Sequence, residues 1–135
     1  MENAMRELTG HKVNPANDKL TIQVHDEPGA GGANHLYAVY GFHTLDNPSA
    51  DSTCRDETCL KVLFQNGPIA EAGVNGVTQE ALLAIVIDRL QSFQAGPYAC
   101  AENAEALMHA EAAQEALLSR TRARMARGVE GTHQV

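Results

Sequence analysis

The sequence predicts an α+β fold, a small N-terminal antiparallel β-sheet followed by a C-terminal long α-helical hairpin, and three observations point to it. Short runs rich in β-branched and aromatic residues, KLTIQVH, LYAVYGF and CLKVLFQ, fill the first half between connections rich in Gly, Pro, Asn and Asp. The second half is dense in Ala, Leu, Glu, Gln, Arg and Met, the best helix formers. A Gly96-Pro97 break divides that half into two helical runs. At 135 residues the chain has room for one core, or for a small module with an extension.

Residues 1–17 are polar and end in the turn formers Asn14-Pro15-Ala16-Asn17, which reads as a flexible arm. Residues 18–75 form the sheet region. Leu20, Ile22 and Val24 alternate with polar neighbours, the period of a half-buried strand. The Gly-rich loop DEPGAGGANH leads to a second strand carrying Tyr37, Val39, Tyr40 and Phe42. A polar loop over 43–58 precedes the third strand, CLKVLFQ, which stops at Asn66-Gly67-Pro68; IAEAG reads as a short fourth. Residues 76–128 form the helical hairpin. Thr78 is suited to cap a helix whose first turn holds Glu80 and which runs to about Phe93. Leu82, Leu83, Ile85, Val86, Ile87 and Leu90 cover more than one stripe, so this helix needs more than one neighbour: the sheet and a second protomer are the candidates. Helix two spans ACAENAEALMHAEAAQEALLSRTRARMAR and is expected to end at Gly128, after a basic last turn that the helix dipole favours. Residues 129–135 form a C-terminal tail.

Composition excludes several functions. With 10 Lys and Arg against 17 Asp and Glu, the net charge of −7 argues against DNA or other nucleic-acid coating, which needs basic residues along a phosphate track. The longest apolar run, Ala81–Ile87, falls far short of the roughly 20 residues of a membrane span. Three cysteines and an N-terminus interrupted by Glu2, Arg6 and Glu7 predict a reduced, cytoplasmic protein. GAGG at 29–32 lacks the G-x-G-x-x-G pattern and reads as a hairpin connection. Cys54 and Cys59, with His43, supply zinc-type donors without an evident fourth, and the six histidines show no H-E-x-x-H spacing, so no metal or other cofactor is expected. Neither G-x-S-x-G nor a recognisable Cys–His pairing appears, so no catalytic residue is assigned.

The chemistry that stands out surrounds the hairpin. Only 4% of the chain is aromatic, which makes Phe93 at the helix break informative. Asn103 follows ten residues later. Arg120, Arg124 and Arg127 share one face of helix two while Arg122 points elsewhere; they read equally as helix-end cations or as an anion site. Along a helix, Asn103 and Arg120 stand about 25 Å apart. If one small ligand touches the aromatic ring, the amide and the guanidinium groups, the arginines must come from a second, antiparallel subunit. An aromatic face for a base, an amide for a base edge and arginines for phosphate are the parts of a nucleotide pocket.

These residues carry a family resemblance. FQAGPYACAENA, RTRARMARGVEGTH and FQNGPIAEAGVNGVTQEALLAIVIDRL resemble the phage-encoded Thoeris anti-defence sponge proteins of the first type, which share their helical hairpin with anti-CBASS cyclic-nucleotide sponges. The likeness covers about residues 18–133. It implies a non-catalytic protein of the infected bacterium's cytoplasm. Such a protein binds glycocyclic ADP-ribose isomers, the signals made by TIR-domain proteins, and withholds them from an NAD-depleting effector. Members that bind CBASS cyclic di- and trinucleotides imply a second ligand class, and hexamers built from dimers imply a homo-oligomer. By the same resemblance Phe93 is the base-stacking aromatic, Asn103 the base reader, and Arg120 and Arg124 the phosphate-gripping pair. Ala101 stands where the family often has a basic residue, which removes the side chain for one further phosphate contact. Gly128, Gly131 and Thr132 read either as donors to a second ligand or as an ordered tail, and Arg55 is a weak candidate from the sheet region. The alternatives are a sponge for CBASS cyclic oligonucleotides, a small nucleotide-processing enzyme, and a regulatory protein whose arginines contact a protein partner.

Overall fold

The computed structural model describes residues 6–128, 130 and 132, and the chain divides between Asn66 and Gly67 into two compact units. The first unit is built on β1 (Arg6–Leu8), α1 (Pro15–Lys19), β2 (Thr21–Val24), β3 (Leu36–Tyr40) and β4 (Cys59–Leu63). The strands form one antiparallel sheet in the order β1-β2-β3-β4. Because directly opposed residues share a face, the pairs Ile22↔Val39 and Val24↔Tyr37 put the alternating apolar residues of both strands on one side. Val24 is fully buried there, and Tyr37 meets Phe64 edge to face at 5.6 Å. Ala38, opposite Gln23 and Lys61, is fully buried on the other face.

The N-terminal segment departs from the flexible arm expected of it. Residues 6–8 pair with β2, Arg6 against Val24 and Leu8 against Ile22, and Arg6 Nη2 donates to Asn34 Oδ1 at 2.7 Å. An edge strand draws its stability from its partner's backbone, so a polar three-residue strand carries no periodic signal of its own. Asn14 and Pro15, read as turn formers, start a helix instead: the Asn14 side chain accepts from the Asn17 N–H at 2.9 Å, with Pro15 in the first turn. His11 Nε2 donates to the Leu20 carbonyl (2.6 Å), tying the end of this segment to the start of β2.

β3 ends at Tyr40 rather than Phe42 because Gly41 turns away with φ +99°; a Cβ at Gly41 would lie 1.8 Å from the Lys19 carbonyl oxygen. The Gly-rich connection contains a single 3₁₀ turn over Ala30–Gly32, closed by Gly32 N–H to Gly29 O and Gly29 N–H to Ala33 O. This is the hairpin connection read from the sequence. Asp26 anchors its base, its carboxylate accepting from the His35 N–H at 3.0 and 3.1 Å and from the Leu36 N–H at 3.1 Å.

The second unit holds α2 (Ile69–Ala72), α3 (Gln79–Gln94) and α4 (Ala101–Ala126). Residues 69–72 are therefore one helical turn, not the expected fourth strand: Pro68 precedes it and Gly73, at φ +69°, ends it. Thr78 caps α3 as expected, its Oγ1 accepting from the Ala81 N–H at 3.1 Å. Cys100 caps α4, its sulfur accepting from the Asn103 N–H at 3.4 Å. Arg127 closes the C-terminus with its N–H on the Ala123 carbonyl, and Gly128 follows at φ +74° with its N–H on the Met125 carbonyl. α3 and α4 pack as an antiparallel hairpin. Gln94 Oε1 accepts from the Cys100 N–H at the tip, and Gln114 Nε2 donates to the Glu80 carbonyl near the other end. Ile87 is buried in α3, while Ile85 and Val86 beside it are 60% and 45% exposed. No helix among the described residues is long and apolar enough to cross a membrane.

Candidate functional site

The hairpin tip is assembled by the end of one helix and the start of the next. Phe93 lies in the last turn of α3 and is 38% exposed. One turn earlier on the same face, Arg89 sets its guanidinium carbon 5.5 Å from the Phe93 ring centroid, a cation–π arrangement. Asn103 sits in the first turn of α4, where its backbone N–H is satisfied by Cys100, so the turn is fixed without use of the Asn103 amide. Arg89 and Cys100 were missed in the sequence reading. The four-residue spacing of Arg89 to Phe93 is a legible signal, as is the position of Cys100 before the first helical residue, where a thiol takes the role usual for a hydroxyl.

The basic residues lie at the other end of α4, and they differ sharply from one another. Arg122 bonds Glu115 Oε1 at 2.8 Å on the exposed surface; that hydrogen bond, with its charge attraction, holds the Glu115 carboxyl below its usual range and raises the Arg122 guanidinium. Arg120 is exposed. Arg124 is only 7% exposed: its Nε donates to Glu130 Oε1 at 2.8 Å and its Nη2 to the Thr132 carbonyl at 3.2 Å. A buried guanidinium requires such compensation, and Glu130 and Thr132 supply part of it. Thr132 thus contacts Arg124 through its carbonyl, while Gly131 lies outside the described residues.

Phe93 and Asn103 therefore share one end of the hairpin, and Arg120 and Arg124 the other. α4 is continuous between Asn103 and Arg120, so the two ends of the proposed ligand set stand about 25 Å apart within one chain. Arg55, exposed, precedes β4 in the first unit. Among the described residues no three or more His, Cys, Asp or Glu side chains cluster to hold a metal. His43 is engaged with Asp56 at 2.5 Å, and Cys54 donates to Asp51 at 3.7 Å.

The fold and this distribution define an α+β protein whose helical hairpin carries an aromatic and an amide at its tip and a set of arginines at its far end. The model of the Acb2/Tad1 hairpin domain matches residues 55–122, half of the chain, and the chain belongs to that family. Over 73 residues it is 52% identical to a protein of Bacillus phage SBSphiJ7 called Thoeris anti-defense 1, covering 54% of this chain and 51% of the relative. The match thus spans about half the length of that relative. Phe93, Asn103 and Arg120 fall inside the segment matched by the family, and Arg124 lies two residues beyond it.

Proposed function

We propose that the protein is a non-catalytic sponge that binds glycocyclic ADP-ribose signalling molecules and sequesters them without cleavage, inhibiting Thoeris defence in the cytoplasm of an infected bacterium. Membership of the Acb2/Tad1 hairpin family and the likeness to a Thoeris anti-defence protein support this reading. The observation that carries it is the placement of Phe93 and Asn103 at the opposite end of α4 from Arg120 and Arg124. The ring of Phe93 stacks a base, Asn103 reads its edge, and Arg120 and Arg124 grip phosphate oxygens. A ligand of nucleotide size meets both ends only where a second protomer's α4 runs antiparallel, so the site belongs to a dimer, and a hexamer built from three such dimers repeats it. Exposed Ile85, Val86 and Met108 on the hairpin supply apolar surface for that association.

Function by sequestration requires affinity and abundance rather than turnover: the signal stays below the effector's threshold when free sites exceed it and Kd lies below that threshold. The test is to incubate the purified protein with glycocyclic ADP-ribose isomers and with cyclic di- and trinucleotides, remove unbound ligand, denature by heat and identify what is released. Release of intact glycocyclic ADP-ribose is the expected result; hydrolysed products mean an enzyme. The shared Acb2/Tad1 hairpin favours a second reading, a sponge for CBASS cyclic oligonucleotides. Release of those molecules alone would establish it.

A further inference from the structure

We propose that Glu130, with the Thr132 carbonyl beside it, is an internal competitor for the anion site, holding the Arg124 guanidinium until a phosphate displaces it. This rests on the assignment of Arg124 to phosphate made above. A guanidinium presents its Nε–H and one Nη2–H as a side-on fork that matches two oxygens of a carboxylate or phosphate. Here that fork is filled from within the chain: Glu130 Oε1 stands 2.8 Å from Nε and the Thr132 carbonyl oxygen 3.2 Å from Nη2. The two tail acceptors reproduce the arrangement a phosphate would make, and they do so from six and eight residues beyond Arg124, past the Gly128 turn that ends α4.

The side chains on either side of this bond are unequal. The Arg124 side chain is 8% exposed, whereas that of Glu130 is 35% exposed. Releasing the partly exposed Glu130 carboxylate into water is therefore easier than leaving the buried Arg124 guanidinium with no anion, and exchange of one anion for another keeps the buried charge compensated throughout. A ligand must exceed the tail's own carboxylate to enter. The contact thus selects for groups that carry concentrated negative charge, such as a pyrophosphate, over neutral nucleosides that offer only a base and hydroxyl groups. Glu130 becomes a specificity-determining residue that binds no ligand.

The experiment compares the 135-residue protein with Glu130→Gln, and Arg124→Ala serves to assign the Arg124 resonance. Inorganic pyrophosphate serves as the anion alone and glycocyclic ADP-ribose as the whole ligand. The Nε–Hε resonance of Arg124 reports the fork, and calorimetry reports affinity. For Glu130→Gln, which keeps the shape but loses the charge, half-saturation of the Arg124 signal by pyrophosphate is expected at about tenfold lower concentration, with glycocyclic ADP-ribose tightening in parallel. Unchanged or weaker pyrophosphate binding in Glu130→Gln overturns the proposal, because it makes Glu130 a support for the arginine rather than a rival to the ligand. A second variant that ends at Gly128, with the tail removed, is expected to tighten pyrophosphate in the same direction; weakening there overturns it equally. Tighter pyrophosphate with no glycocyclic ADP-ribose binding in any variant leaves the competition standing and refutes the sponge reading instead.

Discussion

Gly41 shows how a single residue fixes where a strand stops. Its φ of +99° and the Lys19 carbonyl 1.8 Å from where a Cβ would stand leave no room for any side chain. Gly41→Ala is expected to cost about 3 kcal/mol, read as a fall in the urea midpoint, since the obstacle is backbone and cannot swing aside. Asp26 makes a second residue-scale prediction. Partial burial of its carboxyl pushes its pKa up, but the N–H groups of Leu36 and His35, aided by the attraction of His35, outweigh this and hold it below the ordinary 3.8. A depressed folded value means that the contribution to stability is complete above the unfolded pKa and is lost as pH falls through the folded one. Stability should therefore drop below about pH 4 in the wild type, and Asp26→Asn should flatten that part of the profile in urea titrations. Neither Gly41 nor Asp26 was legible beforehand, because both owe their roles to backbone groups many residues away. That Phe93 and Asn103 lie at the hairpin tip was legible, because the Gly96-Pro97 break between the two helical runs marks it.

At the scale of elements, the two long helices were legible from composition and caps, and the three main strands from alternation. Thr78→Ala is expected to cost about 1 kcal/mol by freeing the Ala81 N–H that Thr78 now satisfies, a loss to be read from thermal denaturation at neutral pH. The elements misjudged were the short ones. β1 has three residues and exists by pairing with β2, and α2 has four residues held by Pro68 and Gly73, so neither is long enough to show a period. The arginine run illustrates another limit. Spacing put Arg120, Arg124 and Arg127 on one face, but only the structure shows that Arg122 is taken by Glu115 and that Arg124 is buried against its own tail. Those pairings depend on side-chain reach and on a turn at Gly128, which a helical wheel does not contain.

At the scale of the whole molecule, the proposed site must be shared between subunits, and this can be tested without a structure of the complex. Phe93→Ala spoils every tip and Arg124→Ala spoils every arginine end, so each variant alone should capture no glycocyclic ADP-ribose. Mixed oligomers of the two contain pairs in which an intact tip faces an intact arginine end, and about half of the sites in such mixed pairs should recover binding. Recovery is measured as bound ligand per protomer after co-expression and purification through two different tags. A site made within a single chain predicts no recovery at all. Light scattering should in parallel report a species larger than one protomer.

Because α4 runs unbroken from Ala101 to Ala126, it acts as a gauge whose length and rotation are set together. Each residue inserted between Asn103 and Arg120 would lengthen that gauge by about 1.5 Å and also swing everything beyond it by about 100°. Single insertions should therefore abolish capture by aiming the arginines away from the partner, whereas a seven-residue insertion, which restores the direction to within about 20° and lengthens both antiparallel helices equally, should capture far more ligand than any single insertion.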